Sequence, residues 1–292
     1  MSSPHTPEPL GQGHLAGPEL LAETTGPAAT ELATTVSPGT EPPGTESSTV
    51  RPVRTGATQA PERAHRWGFG AFLLVLGVFL VSSVVVGIPF QQEDERLSAV
   101  GIVVSIMVPS LLQAAVALLV TVVRGNGPRI DLRLRWSWSD VLLGFKIGVG
   151  ALVVTLAASQ LWAHWVGESN ANSAVGAALD GIQLGPVLAV LLFLHVWLIA
   201  PLCEEIVYRG LLWGAIERLQ WGRWTAFVLS TAIFAIAHLE PWRTPLLLVI
   251  AVPIGLARLI TGRLVASIVA HQVNNLLPAV GILLMVLGVM PA

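Results

Sequence analysis

Apolar residues form long runs from Trp67 to the C-terminus, and short polar stretches separate them. The runs approach the roughly 20 residues that cross a bilayer as a helix. Lipid offers the backbone no hydrogen-bond partners, so each run is predicted to be helical. The predicted spans lie near 68–89, 97–123, 139–165, 186–203 with a continuation to about 218, 224–239, 245–260 and 264–289. The pattern therefore predicts an all-α, polytopic transmembrane helical bundle of about seven spans, or eight if the long fourth helix breaks.

The N-terminal 65 residues have a different composition. They hold ten of the twenty prolines and no Phe, Trp or Tyr. Such a segment cannot bury enough apolar surface to offset the entropy lost on ordering. We therefore predict a disordered, cytoplasmic tail over 1–65 and a multi-span membrane domain over 66–292.

Overall composition supports a membrane protein and excludes some other classes. The chain is 53% hydrophobic and 12% charged, whereas a soluble domain carries about 25% charged residues. A net charge of −2 gives no indication of a nucleic-acid partner. The single cysteine, Cys203, excludes a disulfide framework and a cysteine-based zinc site.

Basic residues alternate between the loops and predict an orientation. Cytoplasmic loops are enriched in Lys and Arg. Arginines precede the first span and follow the second, fourth and sixth, namely Arg51, Arg54, Arg63, Arg66, Arg124, Arg129, Arg133, Arg135, Arg218, Arg223, Arg258 and Arg263. Arg243 lies on the opposite side, and so does Arg96 in the mostly acidic segment QQEDER. The alternation predicts an N-terminus in the cytoplasm and a C-terminus outside. We expect an integral, multi-pass protein of a bacterial plasma membrane.

The segment CEEIVYRG, residues 203–210, places charged side chains inside an apolar span. Ionisable residues at such depth are costly and are functional candidates by default. Glu205 and Arg209 are four residues apart, so they can pair on one helical face. Glu204 is rotated by about 100° from Glu205 and remains available for chemistry. A structural ion cluster is the alternative interpretation.

Two histidines on later spans are predicted to approach Glu204. The fourth and fifth spans form a hairpin with its turn near Trp221; Glu204 precedes that position by 17 residues, and His238 follows it by 17. His271 lies 8 residues beyond Arg263, or roughly 12 Å into the last helix. All three can therefore meet at one level, although Pro201 is expected to kink the fourth helix.

A carboxylate beside two imidazoles is suited to hydrolysis. Glu204 can act as a general base toward water. His238 and His271, together with Glu204, can bind a divalent metal such as zinc that activates this water, or the histidines can position it directly. Asn275, one turn after His271, can donate a hydrogen bond to an oxyanion. The sequence leaves the metal question open.

Three motifs together resemble a known family. EEIVYRG gives Glu-Glu-x-x-x-Arg, FAIAH at 234–238 gives Phe-x-x-x-His, and HQVNN at 271–275 gives His-x-x-x-Asn. In this order on successive apolar helices they resemble the CPBP family of intramembrane proteases, also called the CAAX protease and bacteriocin-processing family. The resemblance covers about residues 186–290.

The resemblance implies a glutamate-dependent endopeptidase that cleaves a membrane-associated peptide or protein at the cytoplasmic leaflet. Glu204 corresponds to the water-activating glutamate; the other corresponding site residues are Glu205, Arg209, His238, His271 and Asn275. Two alternatives remain. One is a non-proteolytic membrane scaffold or a bacteriocin self-immunity protein with the same fold. The other is a transporter, which is disfavoured because no second copy of the motifs occurs.

Overall fold

The computed structural model describes residues 64–92 and 97–290, and its regular structure there is helical. The main helices are α1 (Phe69–Val85), α2 (Ala99–Arg124), α3 (Trp138–Val166), α4 (Pro186–Arg218), α5 (Arg223–Ala237), α6 (Thr244–Thr261) and α7 (Leu264–Val286). Short helical segments in the connections cover Ile88–Phe90, Pro128–Asp131, Glu168–Ala171 and Ala174–Ala178. The predicted disordered tail lies outside the described residues, apart from Ala64 and His65.

Six helices of the described chain are long and apolar enough to cross a membrane. They are α1 with its short extension to Phe90, α2, α3, α4, α6 and α7. The prediction of an all-α, polytopic helical bundle is confirmed. Helix α4 continues from Pro186 to Arg218, so the break that would have produced an eighth span does not occur.

The predicted fifth span corresponds to a shorter helix. Helix α5 has 15 residues, which at 1.5 Å per residue reach roughly 22 Å, less than the roughly 30 Å of a hydrocarbon core. It packs against α6 and against the C-terminal half of α4. The predicted span 224–239 extends beyond the end of α5, because the apolar residues continue into the turn that joins α5 to α6.

Local sequence signals explain several helix ends. The Ser98 side chain accepts a hydrogen bond from the Gly101 N–H at 3.1 Å and caps α2. Helix α4 starts at Pro186, where a missing N–H costs nothing. Helix α6 ends at Gly262, whose φ of 64° is left-handed. The chain then reverses directly into α7.

Close packing of α3 against α7 fixes the last helix in the bundle. At Gly144 an added Cβ would lie 2.4 Å from the Ala266 carbonyl oxygen, and at Gly148 it would lie 2.7 Å from Val273 Cβ. Only glycine permits this approach of two helices. The axis of α7, which carries His271 and Asn275, is therefore set by contact with α3.

The arginine-rich loops meet at one end of the bundle. Arg133 forms an ion pair with Glu217 at 3.1 Å, and Arg263 forms one with Asp140 at 2.8 Å. Arg218 donates to the Trp67 carbonyl at 2.7 Å. These contacts join the start of α1, the α2–α3 loop, the end of α4 and the α6–α7 turn. The arginine-rich loops, which alternate with other loops along the sequence, therefore lie together at one end of the bundle.

The opposite end is joined by contacts of the α5–α6 turn. Trp162 donates its indole N–H to the Trp242 carbonyl at 2.8 Å. Glu240 accepts a hydrogen bond from the Ala174 N–H. Arg243, an exception to the charge pattern, is paired with this same Glu240.

Candidate active site

Helix α4 contains two widened, π-helical turns on either side of the glutamate pair. They cover His195–Ile199 and Ile206–Leu212, and the α-helical segment Ala200–Glu205 lies between them. Turns of this kind add one residue to a helix and occur frequently at functional sites. The kink expected at Pro201 is therefore a local widening of a continuous helix.

Glu205 and Arg209 form a buried ion pair. Arg209 Nη1 lies 3.0 Å from Glu205 Oε1, and both side chains are 0% exposed. The pairing predicted from their spacing is present in the structure. Arg209 also donates to the Ala251 carbonyl on α6 at 3.4 Å. The pair offsets the cost of burying two opposite charges and joins α4 to α6.

His271 on α7 contacts both glutamates. Its Nδ1 lies 3.0 Å from Glu205 Oε1, and its Nε2 lies 3.7 Å from Glu204 Oε2. Because Glu205 is paired with Arg209 and can only accept, Nδ1 must carry the proton of this hydrogen bond. This assignment directs the second ring nitrogen, Nε2, toward Glu204.

Glu204 differs from its neighbour in its environment. Its side chain is 23% exposed, whereas Glu205 is 0% exposed. Glu204 therefore faces the open side of the site with His271 beside it. This separation of the two carboxylates agrees with the prediction from the 100° rotation between successive helix residues.

Phe234 is the common neighbour of the three motifs. The Arg209 guanidinium lies 4.5 Å from its ring centroid. The rings of His238 and His271 lie 4.7 Å and 5.8 Å from it, and the Tyr208 ring lies 5.3 Å away. Phe234 itself is only 2% exposed. A single buried ring thus sets the spacing between α4, α5 and α7 at the site.

The contact of Tyr208 with Phe234 agrees with the predicted register of the α4–α5 hairpin. Both residues lie 13 positions from Trp221, on opposite sides of the turn. The same register relates Glu204 to His238, 17 positions from Trp221 on each side. His238 follows α5 directly, and its Nδ1 donates to the Phe234 carbonyl at 2.8 Å. Its Nε2 is then the nitrogen left for a ligand or water.

Asn275 makes a different contact from the one predicted. The sequence suggested a donor to an oxyanion, whereas in the structure Asn275 Nδ2 donates to the Val196 carbonyl at 3.3 Å. Gln272 Nε2 donates to the Leu198 carbonyl at 3.0 Å. Both acceptors belong to the first π-helical turn of α4. Neighbouring Asn274 instead accepts from Thr155 on α3 at 2.8 Å.

A metal site is not formed by these residues as they stand. The described part of the chain contains no group of three or more His, Cys, Asp or Glu side chains close enough to hold one metal ion. Glu204 and His271 are adjacent, but the structure does not join His238 to them as a third ligand. Binding of a metal by Glu204, His238 and His271 stays a prediction.

Sequence reasoning missed three groups that support the site. Phe234 was recognised only as a motif letter, without its contacts. Gln272 was not singled out. Arg258, 1% exposed on α6, donates its Nε to the Arg209 carbonyl at 3.1 Å and lies over the Trp213 ring at 5.3 Å. The available signal was a basic residue within an apolar helix, which was assigned only to the charge pattern.

Two comparisons with known proteins find sequences that are similar to this chain. Residues 186–277 match the family model of the type II CAAX prenyl endopeptidase Rce1-like proteins. Over 213 residues the chain is 24% identical to the membrane-embedded CAAX protease MroQ of Staphylococcus aureus (strain USA300). The aligned region covers 70% of this chain and 83% of that protein. No solved structure matches.

The bundle is that of a multi-pass membrane protein, and the matched core contains all three motifs. Residues 186–277 resemble the Rce1-like family, and together with the similarity to MroQ this match supports a CPBP-type membrane protease. The matched core starts at Pro186, where the resemblance seen in the sequence also starts.

Proposed function

We propose that Glu204 is the general base of a peptide-bond hydrolysis carried out within the membrane. The observation that carries this proposal is the division between the two glutamates. Glu205 is fully buried and neutralised by Arg209, whereas Glu204 is partly exposed with His271 Nε2 3.7 Å away. A general base must be accessible to water, and its carboxylate must not be held in a permanent ion pair.

Glu204 takes a proton from a water molecule as the water oxygen bonds to the carbonyl carbon of the substrate. The electron pair of the carbonyl moves to its oxygen, which becomes an oxyanion. When the C–N bond breaks, the protonated Glu204 returns its proton to the leaving amine. The products are a carboxylic acid and an amine, and Glu204 is ready for the next cycle.

The histidines assist this reaction from fixed tautomers. His271 is oriented by Glu205 through Nδ1, so its unprotonated Nε2 can accept a hydrogen bond from the water beside Glu204. His238 is oriented in the same manner by the Phe234 carbonyl. Acceptors fixed in this manner hold the attacking water in a defined orientation. Asn275 supports the same site.

We infer that the substrate is a peptide or protein segment bound in the membrane and approached from its cytoplasmic leaflet. The arginine-rich end of the bundle is then cytoplasmic, and the N-terminus lies on the same side. The matched family is named for CAAX prenyl endopeptidases, and MroQ is described as a CAAX protease. These names make a lipid-anchored C-terminal peptide one substrate class to include in a test.

The test compares the membrane peptides of cells that produce the wild type with those of cells that produce Glu204→Gln. The amide keeps the size of the side chain and removes its ability to accept a proton. We expect specific cleavage products to disappear while the protein accumulates normally. Glu168→Gln, an exposed carboxylate in the α3–α4 connection, is the matched control and should retain every product.

The opposite result is equally informative. Products that persist in Glu204→Gln at wild-type levels would exclude Glu204 as the base. Unchanged peptides together with an unchanged phenotype in both Glu204→Gln and His238→Ala would favour the non-proteolytic scaffold.

A further inference from the structure

The first π-helical turn of α4 lacks one backbone donor because of Pro201. In this turn the N–H of Ala200 bonds to the carbonyl of His195, five residues earlier. The same pattern at the next residue would pair its N–H with the Val196 carbonyl. That residue is Pro201, which has no N–H. The Val196 carbonyl is therefore deprived of its helical partner inside a membrane span.

Asn275 supplies the missing hydrogen bond. Its Nδ2 lies 3.3 Å from the Val196 oxygen. Three residues earlier, on the same face of α7, Gln272 Nε2 lies 3.0 Å from the Leu198 oxygen. Two amide side chains of one helix thus bind two carbonyls of one turn on another. A helix in lipid has no water to satisfy such carbonyls, so these bonds replace part of the backbone ladder.

The position of this turn links it to the proposed base. Glu204 follows Pro201 by three residues in the same short segment, Ala200–Glu205. A collapse of the turn to α-helical spacing would remove one residue from the register and rotate the preceding helix by about 100° relative to Glu204. The amides of α7 hold this register at the level where His271, on the same helix, meets Glu204.

We propose that Gln272 and Asn275 are positioning residues, and that Asn275 acts by replacing the backbone hydrogen bond that Pro201 cannot form. Gln272 occupies an unspecified position of the His-x-x-x-Asn motif and has no role in the proposed mechanism. The consequence for Glu204 rests on the proposed function. The coupling of Pro201 to Asn275 is independent of the proposed function, because it is a property of helix packing.

A double-mutant cycle between these two residues tests the coupling. Pro201→Ala restores an N–H that can reach the Val196 carbonyl and makes the Asn275 amide redundant. Cys203 is the single cysteine of the chain, is 4% exposed and adjoins Glu204, so its alkylation rate by N-ethylmaleimide reports opening of this segment. The measurement uses the full-length protein in proteoliposomes.

We expect Asn275→Ala to increase the alkylation rate of Cys203 by about tenfold, since a buried carbonyl is left without its donor. In the Pro201→Ala background the same substitution should change the rate by less than about twofold. Gln272→Met, which keeps the length of the side chain and removes its donor, should also accelerate alkylation, because Leu198 loses its added donor.

Asn274→Ala is the matched control. It removes an amide from the neighbouring position of α7, but that amide bonds to Thr155 and does not touch the turn. Pro201→Ala should give no protection against its effects. Equal acceleration by Asn275→Ala with and without Pro201→Ala would overturn the proposal, as would an unchanged Cys203 rate in both Asn275→Ala and Gln272→Met.

The result is separable from the outcome for the catalytic role of Glu204. The same cycle is run in the Glu204→Gln background, where no turnover is needed for alkylation. Rescue by Pro201→Ala there supports the positioning role even if Glu204→Gln retains its cleavage products. If Pro201→Ala gives no rescue while Glu204→Gln loses all of its cleavage products, the positioning role is contradicted and the catalytic role of Glu204 is not.

Discussion

His271 donates its Nδ1 proton to Glu205 across 3.0 Å, and the same ring directs Nε2 toward Glu204 at 3.7 Å. One imidazole therefore separates the functions of two adjacent carboxylates. Glu205 fixes its tautomer and orientation, and Glu204 remains beside the free nitrogen. A carboxylate that orients a histidine in this manner is a common supporting element of catalytic and metal sites.

Loss of the Glu205 charge should destabilise the protein more than loss of the whole ion pair. Glu205→Gln leaves Arg209 as a buried charge without its partner, which costs about 3–5 kcal/mol. Glu205→Gln combined with Arg209→Gln should recover part of that stability. Thermal unfolding in detergent, followed by circular dichroism, measures both. Both Glu205→Gln and the double variant should be inactive, because His271 loses the anion that orients it.

The order of stability is the critical comparison in that experiment. If Arg209→Gln lowered the stability of Glu205→Gln by as much as it lowers that of the wild type, the two residues would not act as a pair.

The two nitrogens of His271 should be separable by substitution. The Asn amide in His271→Asn can occupy the Nδ1 position and donate to Glu205, but it provides nothing near Glu204. We expect stability within about 1 kcal/mol of the wild type and a loss of activity of about 10²–10⁴-fold. Gln in His271→Gln reaches the Nε2 position and leaves Glu205 without this donor, so that variant should be the less stable of the two.

Cleavage assays on membranes and unfolding measurements are needed together here. Wild-type activity in His271→Asn would show that the Nε2 nitrogen takes no part in the reaction.

The sequence predicted the helices and the pairing within α4 because both depend on local spacing. Apolar run length determines the spans, and the i,i+4 relation determines the contact of Glu205 with Arg209. Residue counting from Trp221 also matched the register of Tyr208 against Phe234. These are properties that one helix or one hairpin specifies by itself.

The partners of Asn275 and Gln272 were not predictable by the same reasoning. A π-helical turn inserts one residue without changing the hydropathy of a span, so an apolar run such as 186–203 carries no periodic sign of it. The presence of Pro201 indicated a disturbed helix, but whether it kinks or widens depends on the donors that α7 provides. The shortness of α5 is likewise decided by the turn at His238, within an apolar stretch.

Phe234 should be essential for more than its volume. Phe234→Leu fills most of the space but removes the aromatic face on which the Arg209 guanidinium lies at 4.5 Å. We expect a loss of about 0.5–2 kcal/mol of stability from that contact and a decrease in activity, because Arg209, His238 and His271 all touch this ring. Phe227→Leu, on the same helix and paired with Trp224 at 6.1 Å, is the control.

The control should lose some stability and keep its activity. Equal activity in Phe234→Leu and Phe227→Leu would mean that the ring has no specific role in arranging the three motifs.

The arginine-rich end of the bundle is expected to face the cytoplasm. Single cysteines introduced in a Cys203→Ser background at Asn126 and at Gln183 report the two ends of the described helices. An impermeant maleimide added to intact cells should label Gln183→Cys, whereas Asn126→Cys should react only after lysis. The reverse labelling would invert the predicted orientation and would place access to Glu204 nearer the other leaflet.

Gly148→Ala should impair activity through the position of α7. The added Cβ would lie 2.7 Å from Val273 Cβ and 2.9 Å from the Ala270 carbonyl oxygen, so α7 must shift or the contact must be strained. Overpacking of this kind costs about 1–3 kcal/mol, and a shift of α7 moves His271 away from Glu204.

Gly150→Ala, two residues along α3, is the control, because its added Cβ would meet no neighbouring helix or side chain within 4 Å. Alanine at that exposed position should stabilise the helix by about 0.5–1 kcal/mol and leave cleavage unchanged. The measurement is the rate of product formation in membranes, normalised to folded protein. Wild-type rates in Gly148→Ala would mean that the site tolerates movement of α7 and that its geometry is held by α4 and α5 alone.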